Sequence, residues 1–327
     1  MSATRRTLLG LGAGTAVLTL AGRVDAQTFP DKPIRMIIPF PPGGGADQWA
    51  RIVASKLEKL LGQPIVFDYK PGATTIIGAE ATARAPADGY TIHQMSSSAF
   101  AYMPNLRKVP YDPLASFVPL GSLGVTPMLL VANPKVPAKN VPELVAYAKA
   151  NPGKLNCASA GVGSSHHLFG EFFKLRTGVT MNHVPYKGAV QYIPDLIGGQ
   201  VDLAVSTVHP AIPHLQSGKL RAIGVTSARR ASVIPDVPTI AEQGVAGFDE
   251  KPWSLFVAPA GIPAEAQARL RVALRSTLED PEIVTALRNA GVEEVGAVPV
   301  DKISELMRSE LAKWGDVIRQ AKITIDS

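Results

Sequence analysis

The chain has 327 residues, 46% of them apolar and 18% charged, which excludes an intrinsically disordered chain and gives enough length for two lobes with a substantial core. Its formal charge is +6, yet no Lys/Arg run or basic stripe with interleaved aromatics appears, so no nucleic-acid partner is expected. A mild positive excess suits small anions instead.

Residues 1–26 carry Arg5-Arg6, an apolar stretch over 8–21, and the small residues Val24 and Ala26 before Gln27. This is the pattern of an export signal cleaved near Ala26. The stretch is too short and too glycine-rich for a permanent span. Arg5-Arg6 followed by Thr7-Leu8-Leu9 fits a twin-arginine signal, and it fits an ordinary positive n-region of the general secretion (Sec) route as well. Cleavage removes Arg5, Arg6, Arg23 and Asp25, so the mature net charge is lower than that of the full chain. No later apolar segment reaches spanning length, and a soluble protein of the periplasm is expected.

After the leader, short apolar runs alternate with helical patterns, the signature of an α/β fold with largely parallel sheets. "PIRMIIPF" reads as a strand, "ADQWARIVASKLEKLLG" as a helix closed by Gly62, "PIVFDYK" as a strand, "IIGAEATARA" as a helix and "GYTIHQM" as a strand. Each of these strands runs into a loop of small residues: "PPGGGAD", "PGATT" with Thr74 and Thr75, and "SSSAF" with Ser96 and Ser97. In such sheets ligands settle outside the carboxyl ends of the strands, where loops of this kind converge. A second series begins near Met128 and repeats the plan as far as "LRAIGVTS". The strand "WSLFVAPAG" and three helical segments then return to the first unit. The expected division is 1–26 as signal peptide, 27–127 with 228–327 as the first lobe, and 128–227 as the second, with a ligand cleft between them.

The loop "PFPPGGGAD" leads straight into a helix. Its prolines fix the exit from the strand, its glycines permit close backbone approach, and the free N–H groups of the helix start point into the loop. Such a helix mouth attracts an anion without a cationic side chain; the alternative is a solvated helix start with Asp47 as a first-turn acid. "SAGVGSSHH", residues 159–167, repeats the arrangement in the second series. Two such mouths facing each other suit a ligand with a carboxylate at one or both ends. At "VPYKG", Tyr186 and Lys187 offer an aromatic wall and a cation, or else a packed tyrosine beside a solvated lysine.

Other chemistries find less support. Gly153-Lys154 and Gly218-Lys219 are each followed by leucine rather than Ser or Thr, and Gly161-x-Gly163 lacks a third glycine, so no nucleotide loop is present. Ser164 and Ser165 beside His166 and His167 raise a periplasmic serine hydrolase as the alternative, but neighbouring helical residues do not face one another and no Gly-x-Ser-x-Gly elbow occurs. The HExxH spacing of a zinc site is missing. His93, His183, His209 and His214 are isolated and read as structural. Cys157 is the only cysteine and reads as a small buried hydrophobe. Neither a metal nor an organic cofactor is called for.

Taken in order, "PFPPGGGAD", "APADGYTI", "SAGVGSSHHLFGEFF", "HVPYKG" and "DLIGGQVD" resemble the motifs of the periplasmic substrate-binding proteins of tripartite tricarboxylate transporters, the Bug family, across essentially the whole mature chain. The resemblance implies a two-lobed periplasmic-binding-protein-like fold that closes on a small carboxylate and delivers it to membrane transporter subunits, with a sensor kinase as a second possible partner. A monomer is expected. It also implies that the carboxylate is held by backbone N–H groups, hydroxyls and ordered waters at Phe40, Gly44, Gly45 and Asp47 and at Ser159, Gly161, Ser164 and His167, while Tyr186 and Lys187 match the family's Pro-Tyr-Lys-Gly segment. One departure stands out. Where relatives usually carry Asn before a run such as Gly-Ala-Gly-Gly, this chain reads "FDYKPGATTIIG", so Thr74 and Thr75 bring hydroxyls and methyls into a barer loop. A reshaped pocket is the expected consequence, with an aromatic or longer dicarboxylate as plausible as a citrate-like or amino-acid ligand.

Overall fold

The computed structural model describes residues 29–325, and the expected signal peptide lies outside them. The chain begins with β1 (Ile34–Ile38), almost wholly buried, as a strand covered on both faces must be. In α1 (Gly45–Leu61) the buried residues Ala46, Ala50, Val53, Ala54, Leu57 and Leu61 recur at three- and four-residue spacing and form one inward face. Gly62 ends it in the left-handed region, φ 71°, and returns its N–H to Glu58 O. β2 (Ile65–Tyr69), a short turn at Ala73–Thr75, α2 (Ile76–Ala83), β3 (Thr91–Ser96), a helical turn at Ser98–Tyr102, α3 (Met103–Leu106) and β4 (Phe117–Val125) follow.

The chain then passes through Thr126 and Pro127 to β5 (Met128–Ala132), α4 (Val141–Ala150), β6 (Asn156–Ser159), α5 (Ser165–Thr177), β7 (Asn182–Pro185), α6 (Ala189–Gly198), β8 (Leu203–Thr207), α7 (Val208–Gln216) and β9 (Arg221–Val225). It returns through β10 (Trp253–Pro259) and finishes with α8 (Ala264–Leu278), α9 (Pro281–Asn289) and α10 (Ile303–Gln320). Two five-stranded sheets result, ordered β2-β1-β3-β10-β4 and β7-β6-β8-β5-β9. These are the two α/β lobes that the sequence pattern predicts.

The expectation of largely parallel sheets needs correction. β1 is parallel to β2 and β3, and β6 to β7 and β8, but β10 is antiparallel to β3 and β4, and β5 to β8 and β9. The crossings between lobes explain this. Ser254, at the start of β10, pairs with Ser96 at the end of β3, and Met128, at the start of β5, pairs with Thr207 at the end of β8. A strand that enters a sheet from the interlobe side meets the carboxyl ends of its neighbours and must run against them. β4 is a strand beyond those expected from the sequence, and the segment after Ser96 runs into a helical turn at Ser98–Tyr102 rather than an open loop.

Each lobe has its own apolar cluster, and a third crosses between them. Trp314 of α10 is completely buried; its ring lies 4.9 Å from Tyr102 of the first lobe and 5.5 Å, stacked, from Phe169 of α5 in the second. The C-terminal helix therefore packs against both lobes along one side of the molecule. Among the described residues no helix is long and apolar enough to cross a membrane.

Candidate functional site

In the first lobe the carboxyl ends of β1, β2 and β3 lie side by side. Past β1 the chain exposes Phe40, Gly44 and Gly45, and Gly44 caps α1 without any side-chain hydrogen bond, so the first amides of the helix, at Gly45, Ala46 and Asp47, have no partner within it. The Asp47 carboxylate does not supply a charge to this mouth. It is buried and turned back, accepting from the Gly43 N–H at 2.8 Å, the Tyr69 hydroxyl at 2.7 Å and Arg51 Nε at 3.0 Å. Burial pushes this carboxyl up, but the bonds from Tyr69, Gly43 and Arg51 outweigh it and hold the group below its ordinary value.

The loop after β2 holds Ala73, Thr74 and Thr75 in succession at φ 45°, 50° and 74°, a left-handed run without a glycine. Thr75 is buried with its hydroxyl 3.2 Å from that of Ser96, whereas Thr74 is half-buried. Ser97 corrects an expectation: it is fully buried, and its hydroxyl accepts the Trp253 N–H at 2.7 Å, so it braces the crossing into β10 instead of lining a cleft.

In the second lobe Ser159 ends β6 and Ser164 caps α5. The Ser164 hydroxyl donates to Gly161 O at 2.6 Å and accepts the His167 N–H at 3.3 Å. Ser159 Oγ accepts the Gly161 N–H at 3.1 Å, and its carbonyl accepts the Tyr186 N–H at 3.0 Å, which ties the next strand end to the same loop. Tyr186 sends its hydroxyl to Asp195 Oδ2 at 2.7 Å and sets its ring edge-on to Tyr192. Lys187 is exposed, and its N–H donates to Gln191. His167 lies behind the loop, 6% exposed, stacked on His183. His183, read as merely structural, stands 2.6 Å from the Ser159 hydroxyl; the one trace of this in the sequence is its place in "HVPYKG", two residues ahead of a strand end.

Fourteen candidate positions thus fall into two groups, one at the strand ends of each lobe, and the lobes touch between them. A Cβ on Gly163 would lie 2.8 Å from Met103 Sδ and 3.1 Å from Leu106 Cδ1, across the lobe boundary. His209 of α7 sits 2.9 Å from the carbonyl of Asn289 in α9. A cavity of about 850 Å³ lies elsewhere, between α5, α10 and residues 247–253, and none of the fourteen lines it. A second, of about 10 Å³, is lined by Ser159 and His167 together with His183, Glu171 and Lys174. Neither serine of 164–165 forms a hydrogen bond with an imidazole, because Ser164 is committed to the helix cap. No group of three metal-ligating side chains occurs among the described residues.

Residues 49–323 match the tripartite tricarboxylate transporter family receptor. The chain belongs to that family. It is 38% identical to BugT of Bordetella pertussis over 96% of this chain and 97% of that one. Among solved structures, an R. palustris protein with adipate is 32% identical with a TM-score of 0.81, over 90% of this chain and 99% of that one. MatC of Rhodopseudomonas palustris with bound malate is 30% identical with a TM-score of 0.77, over 89% and 100%. The family is one of periplasmic solute receptors and not of enzymes, which removes the serine-hydrolase alternative.

Proposed function

We propose that this receptor captures a small dicarboxylate between its lobes, 27–127 with 228–327 and 128–227, after export through its cleaved leader, and delivers it to membrane transporter subunits. The observation that carries the reading is the uncapped start of α1, whose free amides open beside the exposed Phe40, Gly44 and Gly45 on the interlobe side of the first sheet. Family membership and the adipate- and malate-bound relatives support the ligand class. One carboxylate accepts from the amides of Gly45 and Ala46, and the other from the Ser159–Ser164 loop; Tyr186, Lys187 and Thr74 bound the space between. Affinity then comes from hydrogen bonds completed only when both lobes engage the ligand.

A thermal-shift screen of residues 27–327 against four- to six-carbon dicarboxylates, tricarboxylates and aromatic acids tests this, since a ligand of the folded state alone raises the melting temperature. One saturable hit recovered unchanged is the expected outcome; silence across the acids overturns the reading. Gly45→Val then locates the site. Its Cβ would press on the Trp49 ring at 3.3 Å and its methyls would cover the helix mouth, so calorimetry should show a loss of about 10- to 100-fold, the worth of one or two charge-assisted hydrogen bonds. Unchanged affinity would move the carboxylate away from α1.

A further inference from the structure

Behind the second-lobe loop, the rings of His167 and His183 stack with centroids 3.8 Å apart and planes 22° apart. One ring comes from the first turn of α5 and the other from β7, so the stack joins a helix to a strand beneath the glycine loop. His183 Nε2 lies 2.6 Å from the Ser159 hydroxyl, and His167 Nδ1 accepts the Gly163 N–H at 3.3 Å. These contacts fall at the two ends of residues 159–163. At Gly163 there is no slack on the other side either, since its φ is 77° and Met103 of the first lobe closes over it.

We propose that His167 and His183 are positioning residues for carboxylate binding, holding the Ser159–Gly163 loop in its binding shape from behind and doing so only as neutral imidazoles. The inference rests on the carboxylate reading of the cleft. To accept from Gly163, Nδ1 of His167 must be unprotonated, which leaves the ring proton on Nε2, 3.8 Å from Glu171 Oε1. A second proton would set N–H against N–H and place a charge under the other ring. The groups around the stack do not invite that charge: Glu171 is matched by Lys174 at 2.7 Å, and the Cys157 thiol is pushed up to about 12, by burial first, and stays neutral. His166, the other imidazole at this small cavity, turns its ring edge to Tyr192. Burial first, then the charges of His183 and Lys174, lower His167 to about 3; burial and Lys174 lower His183 to about 4.

The test separates shape from chemistry. His167→Asn keeps an acceptor near Nδ1 and His183→Gln keeps a polar atom near Nε2, whereas His167→Leu and His183→Met fill similar space without either. With adipate and malate as calorimetric probes, the apolar forms should lose about tenfold in affinity, the loss from one misplaced hydrogen bond to a carboxylate, and the Asn and Gln forms should stay within about threefold of the parent. Amide hydrogen exchange at Gly163 should quicken in His167→Leu and not in His167→Asn. Equal affinity in parent and apolar forms overturns the proposal, as does an equal fall in polar and apolar forms. If the parent binds neither acid, the acid found in the thermal-shift screen replaces them as probe; silence across that whole screen is the failure of the carboxylate reading, whereas unchanged Gly163 exchange in His167→Leu separately sinks the positioning role. Should an apolar form not fold, ring nitrogen NMR of the parent decides: His167 Nδ1 unprotonated from pH 7 to pH 5 is expected, and a protonated Nδ1 overturns the idea.

Discussion

In the first lobe the loop ahead of α1 is held by a charge: Asp47 draws in Gly43, Tyr69 and Arg51. In the second, the loop ahead of α5 is held by a serine cap and by two uncharged rings. The first mouth is exposed at Phe40, Gly44 and Gly45, while the second is wedged between its own histidines and Met103 of the facing lobe. On the proposed reading each helix start offers amides to an anion, and such a start can be shaped by a carboxylate only if that charge is neutralised and turned away. Arg51 does this in the first loop, and neutral imidazoles avoid the need in the second.

The wedge gives the largest expected effect. Gly163→Val places a branched side chain at φ 77° with its Cβ 2.8 Å from Met103 Sδ and 3.1 Å from Leu106. Strain of about 1–3 kcal/mol in the backbone alone and forced separation of the loop from the first lobe should lower the melting temperature by several degrees and remove ligand binding. Gly44→Ala is the matching change in the open mouth. Its φ is −86° and its Cβ meets nothing nearer than Pro41 O at 3.7 Å, so stability should stay within about 0.5 kcal/mol of the parent. Similar melting temperatures for the two variants would erase the contrast between the loops.

Next in size is Asp47→Ala. The carboxylate is 5% exposed and accepts from three donors; Gly43 and Arg51 are exposed and can turn to water, so losing these bonds should cost about 1–2 kcal/mol, read as a lower denaturant midpoint with unchanged slope. Arg51→Ala should cost much less, because that guanidinium is 58% exposed. Were the two costs alike, the ion pair rather than the loop bonds would be what holds the first mouth.

The sequence makes the framework legible because strand ends, glycines and helix starts are local patterns. Residues 37–45 and 159–165 could be paired as two mouths without coordinates. It was silent on which side chains face in. Asp47 reads as part of the ligand mouth or as a first-turn acid, and it is a first-turn acid that clamps the loop; Ser97 reads as a loop hydroxyl and is buried against the Trp253 N–H; His183 is 24 residues from the serine it touches. Each of these depends on a long-range packing partner, which no spacing rule encodes. The antiparallel strands were missed for the same reason, since direction there follows from the crossing between lobes.

The two clamps also differ in how acid should undo them. Asp47 folds with its carboxyl below the ordinary 3.8, so its contribution is complete above that value and is lost only at lower pH. His167 and His183 fold with values of about 3 and about 4 against an ordinary 6.5. The unfolded chain therefore takes up protons first, and stability falls from about pH 6.5 downward, by at most about 1.4 kcal/mol per histidine per pH unit. His93 and His166 are lowered by burial in the same sense, to about 3 and about 4, and Glu250, pushed up to about 7 by burial, opposes them over the upper part of that range. Replacing His167 and His183 by Asn and Gln should remove roughly half of the histidine slope between pH 6.5 and 4.5 in urea titrations. An unaltered slope would mean that the stack titrates normally and is no part of the second clamp.

The smallest effect sharpens the comparison from the side of the ligand. Thr74 sits at φ 50°, between Ala73 at 45° and Thr75 at 74°, in the loop that borders the first mouth. A β-branched residue in the left-handed region carries about 1 kcal/mol of strain that glycine does not. Thr75 has a return for its strain in the 3.2 Å contact with Ser96; among the described residues the Thr74 hydroxyl has no comparable hydrogen bond, and Thr74 is half-buried. Thr74→Gly should therefore raise the melting temperature by about 2–4 °C while changing the ranking of bound acids by chain length, because the space its methyl and hydroxyl occupied becomes available. A gain in stability with the ranking intact would leave the strain as a local accident of folding. A loss of stability would mean that Thr74 packs into the first mouth, and that this loop, like the second, is held by side chains rather than by its backbone.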